Sequence, residues 1–283
     1  MLSRTFVQLT LLFGNIFFKN VKFTSAHVVK NITLMSMKDF MSSNKVTSSS
    51  PFVFFSKAAF MQRISDLVRT GHSFYVMGEL PIEKVAGFYS KMSDYYLIDE
   101  GKHVASRKRK DGFASFRLFL GRFNAEDPNI TFIMLRTDGV VPALANKEKW
   151  RDALVTKIQL TGYELVRHTR KDASKPSWSW RYTKHQEITL RDSLVSSIRR
   201  KSDKDLSYLI SQVAGTMGFA IARGQAKKMC VLVQLEWKRH SNITEKPPAL
   251  PKRFGYIQRV PDVGRPLSDL DMKSTRKTKL KKS

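Results

Sequence analysis

Phe113-Ala114-Ser115-Phe116-Arg117-Leu118-Phe119-Leu120-Gly121-Arg122-Phe123 and Ile130-Thr131-Phe132-Ile133-Met134-Leu135-Arg136 read as two strands of an antiparallel pair. Both are dense in aromatic, β-branched and long aliphatic side chains, which suit a pleated surface. Residues 124–129 between them hold a proline and two acids, the composition of a connection. A second pair of the same kind follows over 158–168 and 177–184.

Working outward from these hairpins, the periodicity turns helical on both sides. Phe60, Ile64, Leu67 and Val68 recur at helical spacing and Gly71 supplies a stop, which predicts a helix over 58–70. Residues 74–77 read as a short strand, and Pro81 opens a second helix with Ile82, Val85, Ala86, Tyr89 and Met92 along one side. Between the hairpins, Asp138-Gly139 marks a turn and residues 147–155 read as a short helix capped by Asn146. Beyond Ile188 one helix is marked by Leu190, Leu194 and Ile198, and a second by Leu206, Leu209, Ile210, Val213 and Met217; residues 219–237 make a third. This order predicts an α+β domain: a mainly antiparallel sheet from two hairpins, interleaved helices and a helical C-terminal part. No internal repeat of solenoid or propeller period is present.

At 283 residues, 42% hydrophobic and 26% charged, the chain has the composition of a folded protein with one main core. We expect the core domain over 57–238, an extension without ordered packing over 1–56, and a flexible basic tail over 239–283. The tail is argued from Pro247, Pro248, Pro251, Pro261 and Pro266 and from its last cations, Lys273, Arg276, Lys277, Lys279, Lys281 and Lys282. Residues 6–18 are apolar but interrupted, and shorter than the roughly 20 residues of a membrane span. We therefore expect no stable membrane insertion. The first acid is Asp39, so the leading segment also suits a mitochondrial presequence; Met35, Met37 and Met41 offer later starts, and a cytoplasmic location is the first expectation. Cys230, the single cysteine, excludes a disulfide within the chain and any thiolate-rich metal site, and reads as a small buried residue.

The sign of the charge is the departure from the ordinary. Fifty Lys and Arg against 24 Asp and Glu leave +26 and a pI near 10.3. Residues 101–238 carry +14 of it (27 basic against 13 acidic), residues 1–56 carry +5 (6 against 1), 57–100 carry −1 (5 against 6) and 239–283 carry +8 (12 against 4). The excess therefore belongs mostly to the body, where self-repulsion opposes folding unless a polyanion is at hand.

Three groups of side chains are candidates for contact with nucleic acid. The first is Lys102, His103, Arg107, Lys108, Arg109 and Lys110, just ahead of a strand, able to gain from counterion release at phosphates and otherwise a solvated loop. The second is Arg167, His168, Arg170, Lys171 and Lys175, followed by Trp178, Trp180, Arg181, Tyr182 and Lys184. In a strand, Trp178, Trp180 and Tyr182 share one face and Arg181 takes the other. That aromatic face stacks bases if exposed and is core if buried. The third comprises Arg199, Arg200 and Lys201 at a helix end, where cations also complement the helix dipole, with Arg223, Lys227 and Lys228 near one face of the last helix.

Enzyme signatures are scarce. The chain has no Gly-rich Walker loop, paired-His metal motif or Gly-x-Ser-x-Gly elbow. It also lacks the His-hydrophobe-His signature of rolling-circle nucleases, and Tyr95 and Tyr96 read as packing residues. Glu236-Trp237-Lys238 matches half of a metal-dependent nuclease motif, and Asp138 is a second available carboxylate, though helical periodicity and a following glycine favour structural roles. No catalytic residue, metal ligand or cofactor is assigned.

The stretch from Thr70 through Gly71-His72-Ser73-Phe74-Tyr75-Val76-Met77-Gly78-Glu79-Leu80-Pro81 with Lys84, the run Arg107-Lys108-Arg109-Lys110 with Gly112 and Ala114, and Trp178-Ser179-Trp180-Arg181 resemble a group of bacterial proteins carried on plasmids and integrative conjugative elements. The resemblance covers residues 60–237 and leaves the first 55 or so outside it. It implies mobile-element biology without naming a reaction. The expectation is thus a nucleic-acid-binding accessory protein, with DNA favoured over RNA, acting in replication, maintenance or transfer of such an element. A divalent-metal nuclease and an RNA-binding or ribosome-associated protein are the alternatives.

Overall fold

The first hairpin forms the middle of a six-stranded sheet. In chain order the elements are β1 (Phe52–Phe54), α1 (Lys57–Arg69), β2 (Phe74–Pro81), a short 3-10 turn, α2 (Val85–Tyr96), α3 (Lys102–Lys110), β3 (Phe116–Gly121), β4 (Asn129–Arg136) and β5 (Arg151–Asp152). Then come β6 (Gln159–Leu160), β7 (Tyr163–His168), β8 (Ser177–Tyr182), α4 (Lys184–Arg199), α5 (Asp203–Ala214), α6 (Ala220–His240) and β9 (Gly264–Pro266). The structure, a computed structural model, describes residues 50–141, 147–169, 174–240 and 246–270, which belong to one unit.

The fold is α+β, as expected. The large sheet has the order β5-β2-β4-β3-β1-β9, antiparallel throughout except where β1 runs parallel to β3. Strand β4 alternates between two cores. Ile133 and Leu135 face Phe60 and Ile64 of α1, whereas Ile130 and Met134 face the side where Val85, Met92 and Tyr96 of α2 pack. Burial on both faces is why this strand reads as a nearly continuous apolar run. Helix α1 starts at Ser56, whose side chain accepts from the Ala59 N–H at 3.3 Å.

The second hairpin does not extend that sheet but makes its own, ordered β6-β7-β8. Its Leu165, Trp180 and Tyr182 join α1 and the three C-terminal helices in the main core. The outer edge of β8 is closed by α6: the Tyr182 N–H donates to Gln225 Oε1 at 2.8 Å, and Gln225 Nε2 reaches the Tyr182 carbonyl at 3.5 Å.

Three expectations are corrected. Residues 147–155 are a turn and the strand β5, not a helix, because Leu154 and Val155 are exposed and offer no apolar stripe; the proposed cap Asn146 lies outside the described residues. The tail expected from 239 is ordered over 246–270: α6 runs on to His240, Phe254, Leu267 and Leu270 are buried, and β9 pairs with β1. The extension expected over 1–56 likewise contributes β1, whose Val53 is wholly buried. Residues 1–49 and 271–283, with the targeting segment, the alternative starts and the terminal cations, lie outside the described residues.

Candidate nucleic-acid interface

The first basic group forms a helix. Helix α3 turns Ala105 into the protein and leaves Lys102, His103, Arg107, Arg109 and Lys110 exposed. Gly112, at φ 82, ends it by donating to the Arg109 carbonyl at 3.2 Å, while the Phe113 N–H reaches back to Lys108 O at 2.9 Å. A residue with a Cβ is strained in that left-handed conformation. Lys108 is half-buried in an ion pair with Glu100. Among the described residues, no carboxylate is in ion-pair contact with Lys102, Arg107, Arg109 or Lys110. Four cations in the last turn oppose the negative end of the helix dipole, which stabilises α3 and offsets part of their repulsion.

Further basic side chains lie on and beside strands β2, β3 and β4. Arg117 of β3 is half-buried, donates to the carbonyls of Ile98 (3.3 Å) and Phe116 (2.9 Å), and is held below the usual guanidinium range by that burial. His72 is only 4% exposed. Burial first, then the charges of Arg117 and Arg109, pushes it down to about 4, so it is neutral at pH 7. Arg136 ends β4 with its guanidinium 4.2 Å from the Phe74 ring centroid and 5.2 Å from that of Trp150, a packed position rather than an open one.

The second group is divided by its strand. Trp180 is fully buried and its Nε1 donates to the Met61 carbonyl at 2.9 Å; it is core and cannot stack a base. Trp178 packs half-buried against the same core, and Tyr182 is buried with its ring stacked on Tyr163 at 4.8 Å. Arg181, on the other face, donates to Glu164 at 2.6 Å directly across the hairpin, and Lys157 meets the same carboxylate at 3.3 Å. Its charge is thereby matched inside the fold. Arg167, Lys175 and Lys184 are exposed, whereas Arg170 and Lys171 lie outside the described residues.

The third group splits likewise. Arg199 comes within 3.7 Å of Glu236, which is also met by Arg239 at 2.6 Å and His240 at 3.5 Å, and Arg200 lies 3.8 Å from Asp205. Arg223 is not a surface cation: its Nε donates to the Phe254 carbonyl at 2.9 Å and its guanidinium lies 3.3 Å from the Tyr256 ring centroid, so it fastens the C-terminal segment. Lys227 and Lys228 are exposed on α6.

The residues weighed for an enzyme are placed elsewhere. Glu236 is buried on a helix among three basic side chains, and Asp138 is exposed with its carboxylate accepting from the Gly139 N–H at 2.8 Å. Tyr96 is core, its hydroxyl pushed up to about 12 mainly by burial, and the Tyr95 ring is approached by Lys147 at 5.0 Å. Cys230 is half-buried on α6, and burial raises its thiol pKa. No family model, curated protein or solved structure matches the chain.

What the structure brings together is thus an outward cationic face on α3, backed by Arg117, and a second basic concentration where α4 and α6 end. Sequence reasoning missed His72, Arg117, Arg136, Arg239 and Lys246. A charged residue amid apolar strand neighbours was the available signal for Arg117 and Arg136.

Proposed function

We propose that the protein binds the phosphate backbone of nucleic acid, DNA in the first instance, as an accessory protein in the replication, maintenance or transfer of a mobile element. The observation that carries the reading is α3: Lys102, Arg107, Arg109 and Lys110 stand exposed on one short helix with no carboxylate in contact among the described residues. Helix packing does not call for them, since Ala105 alone on α3 is buried. Such a face gains free energy by displacing condensed counterions from a duplex. The resemblance over 60–237 supports the mobile-element setting.

The test is the salt dependence of binding by the full chain to duplex DNA. Replacing Lys102, Arg107, Arg109 and Lys110 with Ala should flatten the plot of log affinity against log salt by about 0.9 for each phosphate that is no longer neutralised. An unchanged slope removes α3 from the interface, and a wild-type chain indifferent to DNA and RNA at low salt overturns the reading. A preference for structured RNA over duplex DNA would replace the DNA assignment.

A further inference from the structure

Helix α3 stands clear of the fold that carries it. Ala105 is its one buried residue, and among the described residues no other helix or strand packs along it. Lys102, His103, Val104, Arg107, Arg109 and Lys110 are exposed. At about 100° per residue, His103, Arg107 and Lys110 form a ridge opposite Ala105, within about 60° of one another. Lys102 and Arg109 lie together on one flank, and Asp111, the exposed acid at the C-cap, lies on the other. The nine residues of α3 make a helix about 13 Å long, and a helix with its side chains is about 10–12 Å across.

We propose that α3 enters the major groove of duplex DNA, with the ridge of His103, Arg107 and Lys110 toward the base edges and with Lys102 and Arg109 toward the phosphates of one strand. The inference rests on the phosphate-binding reading above and names the surface of the nucleic acid that α3 meets. Charge complementarity selects the polyanion, since Lys102, Arg107, Arg109 and Lys110 have no carboxylate in contact among the described residues. Shape selects the groove. A helix lying on a protein surface packs an apolar stripe beneath its charges, whereas α3 packs one alanine and leaves most of its circumference free for groove walls on either side. The B-form major groove, about 12 Å wide and about 8.5 Å deep, admits a helix; the minor groove, about 6 Å wide, does not. In A-form RNA the major groove is too narrow for side chains to read, so the same protrusion has no place there. Arg107, at the crest of the ridge, carries the fork that pairs bidentately with guanine O6 and N7.

The experiment measures binding of the full chain to three ligands of one sequence: a plain DNA duplex, the same duplex with glucosylated 5-hydroxymethylcytosine filling its major groove, and double-stranded RNA. Filling the groove leaves the backbone charge as it was, so phosphate contact alone gives equal affinity for the two DNA duplexes. Groove entry gives a loss of about tenfold or more, the scale of one bidentate base contact, and a similar deficit on RNA. Guanine N7, probed with dimethyl sulfate on the plain duplex, should be protected by wild type and left reactive by Arg107→Lys, a change at an exposed position that keeps the charge and the salt slope but not the fork. If plain and filled duplexes bind alike and N7 stays reactive, α3 rides on the backbone: the groove assignment is overturned and the phosphate reading stands. RNA bound as tightly as plain DNA overturns the groove assignment as well. If none of the three ligands binds, both readings fall.

Discussion

His72 is buried within the field of Arg117 and Arg109, so the fold holds it as a neutral imidazole. Its pKa is pushed from 6.5 to about 4, so between those values the unfolded chain takes a proton that the folded chain refuses. Its contribution to stability is therefore complete above pH 6.5 and declines as pH falls toward 4, by on the order of 3 kcal/mol. Denaturant midpoints measured from about pH 7 to about pH 4.5 should drop less for His72→Phe than for wild type. Equal slopes would mean that the imidazole titrates normally in the fold. At the same scale, Trp180 shows why composition alone does not locate an aromatic site: the alternation puts Trp178, Trp180 and Tyr182 on one face but does not say what lies over it. The Met61 carbonyl does, and it belongs to a helix more than a hundred residues earlier.

Elements were legible in the sequence where an apolar pattern ran long enough to be periodic. The helices α1, α4, α5 and α6 and both hairpins lie within a few residues of where spacing places them. Helix α3 was not legible because only Ala105 is buried along it, and one apolar position makes no period. Strands β1 and β9 are three residues each and exist by pairing with partners distant in sequence, which local pattern does not record. Of the candidate site, the cations of α3 were legible as a run of charge. Gln225 illustrates a third kind of hidden contact, a helix side chain serving a strand edge. Gln225→Leu keeps the volume and leaves the Tyr182 N–H without its acceptor, which should cost about 1–3 kcal/mol in denaturant unfolding. A cost below about 0.5 kcal/mol would show that water takes over the bond.

Across the whole molecule, the C-terminal segment closes the architecture that the earlier elements begin. Residues 246–270 cross from α6 back to the first strand: Arg223 holds the Phe254 carbonyl, the Ile257 N–H donates to Gly218 O at 2.9 Å, Arg63 meets Asp262 at 2.6 Å, and β9 completes the sheet on β1. A segment rich in proline and charge would by itself stay open. Here Phe254, Leu267 and Leu270 supply the apolar area that orders it. The pairing depends on Gly264, since a Cβ there would overlap the Val53 carbonyl oxygen and press on the Phe52 ring. Gly264→Val should therefore lift β9 from the sheet, lower the melting temperature by several degrees and expose residues 246–270 to limited proteolysis, while the salt-dependent binding proposed for the α3 face is unchanged. The neighbouring Arg265→Val substitution, at an exposed position of the same strand, controls for the change in hydrophobicity and should leave proteolysis unchanged. If Gly264→Val melts and resists protease like wild type, β9 is an ornament on the sheet edge, and the domain ends at α6.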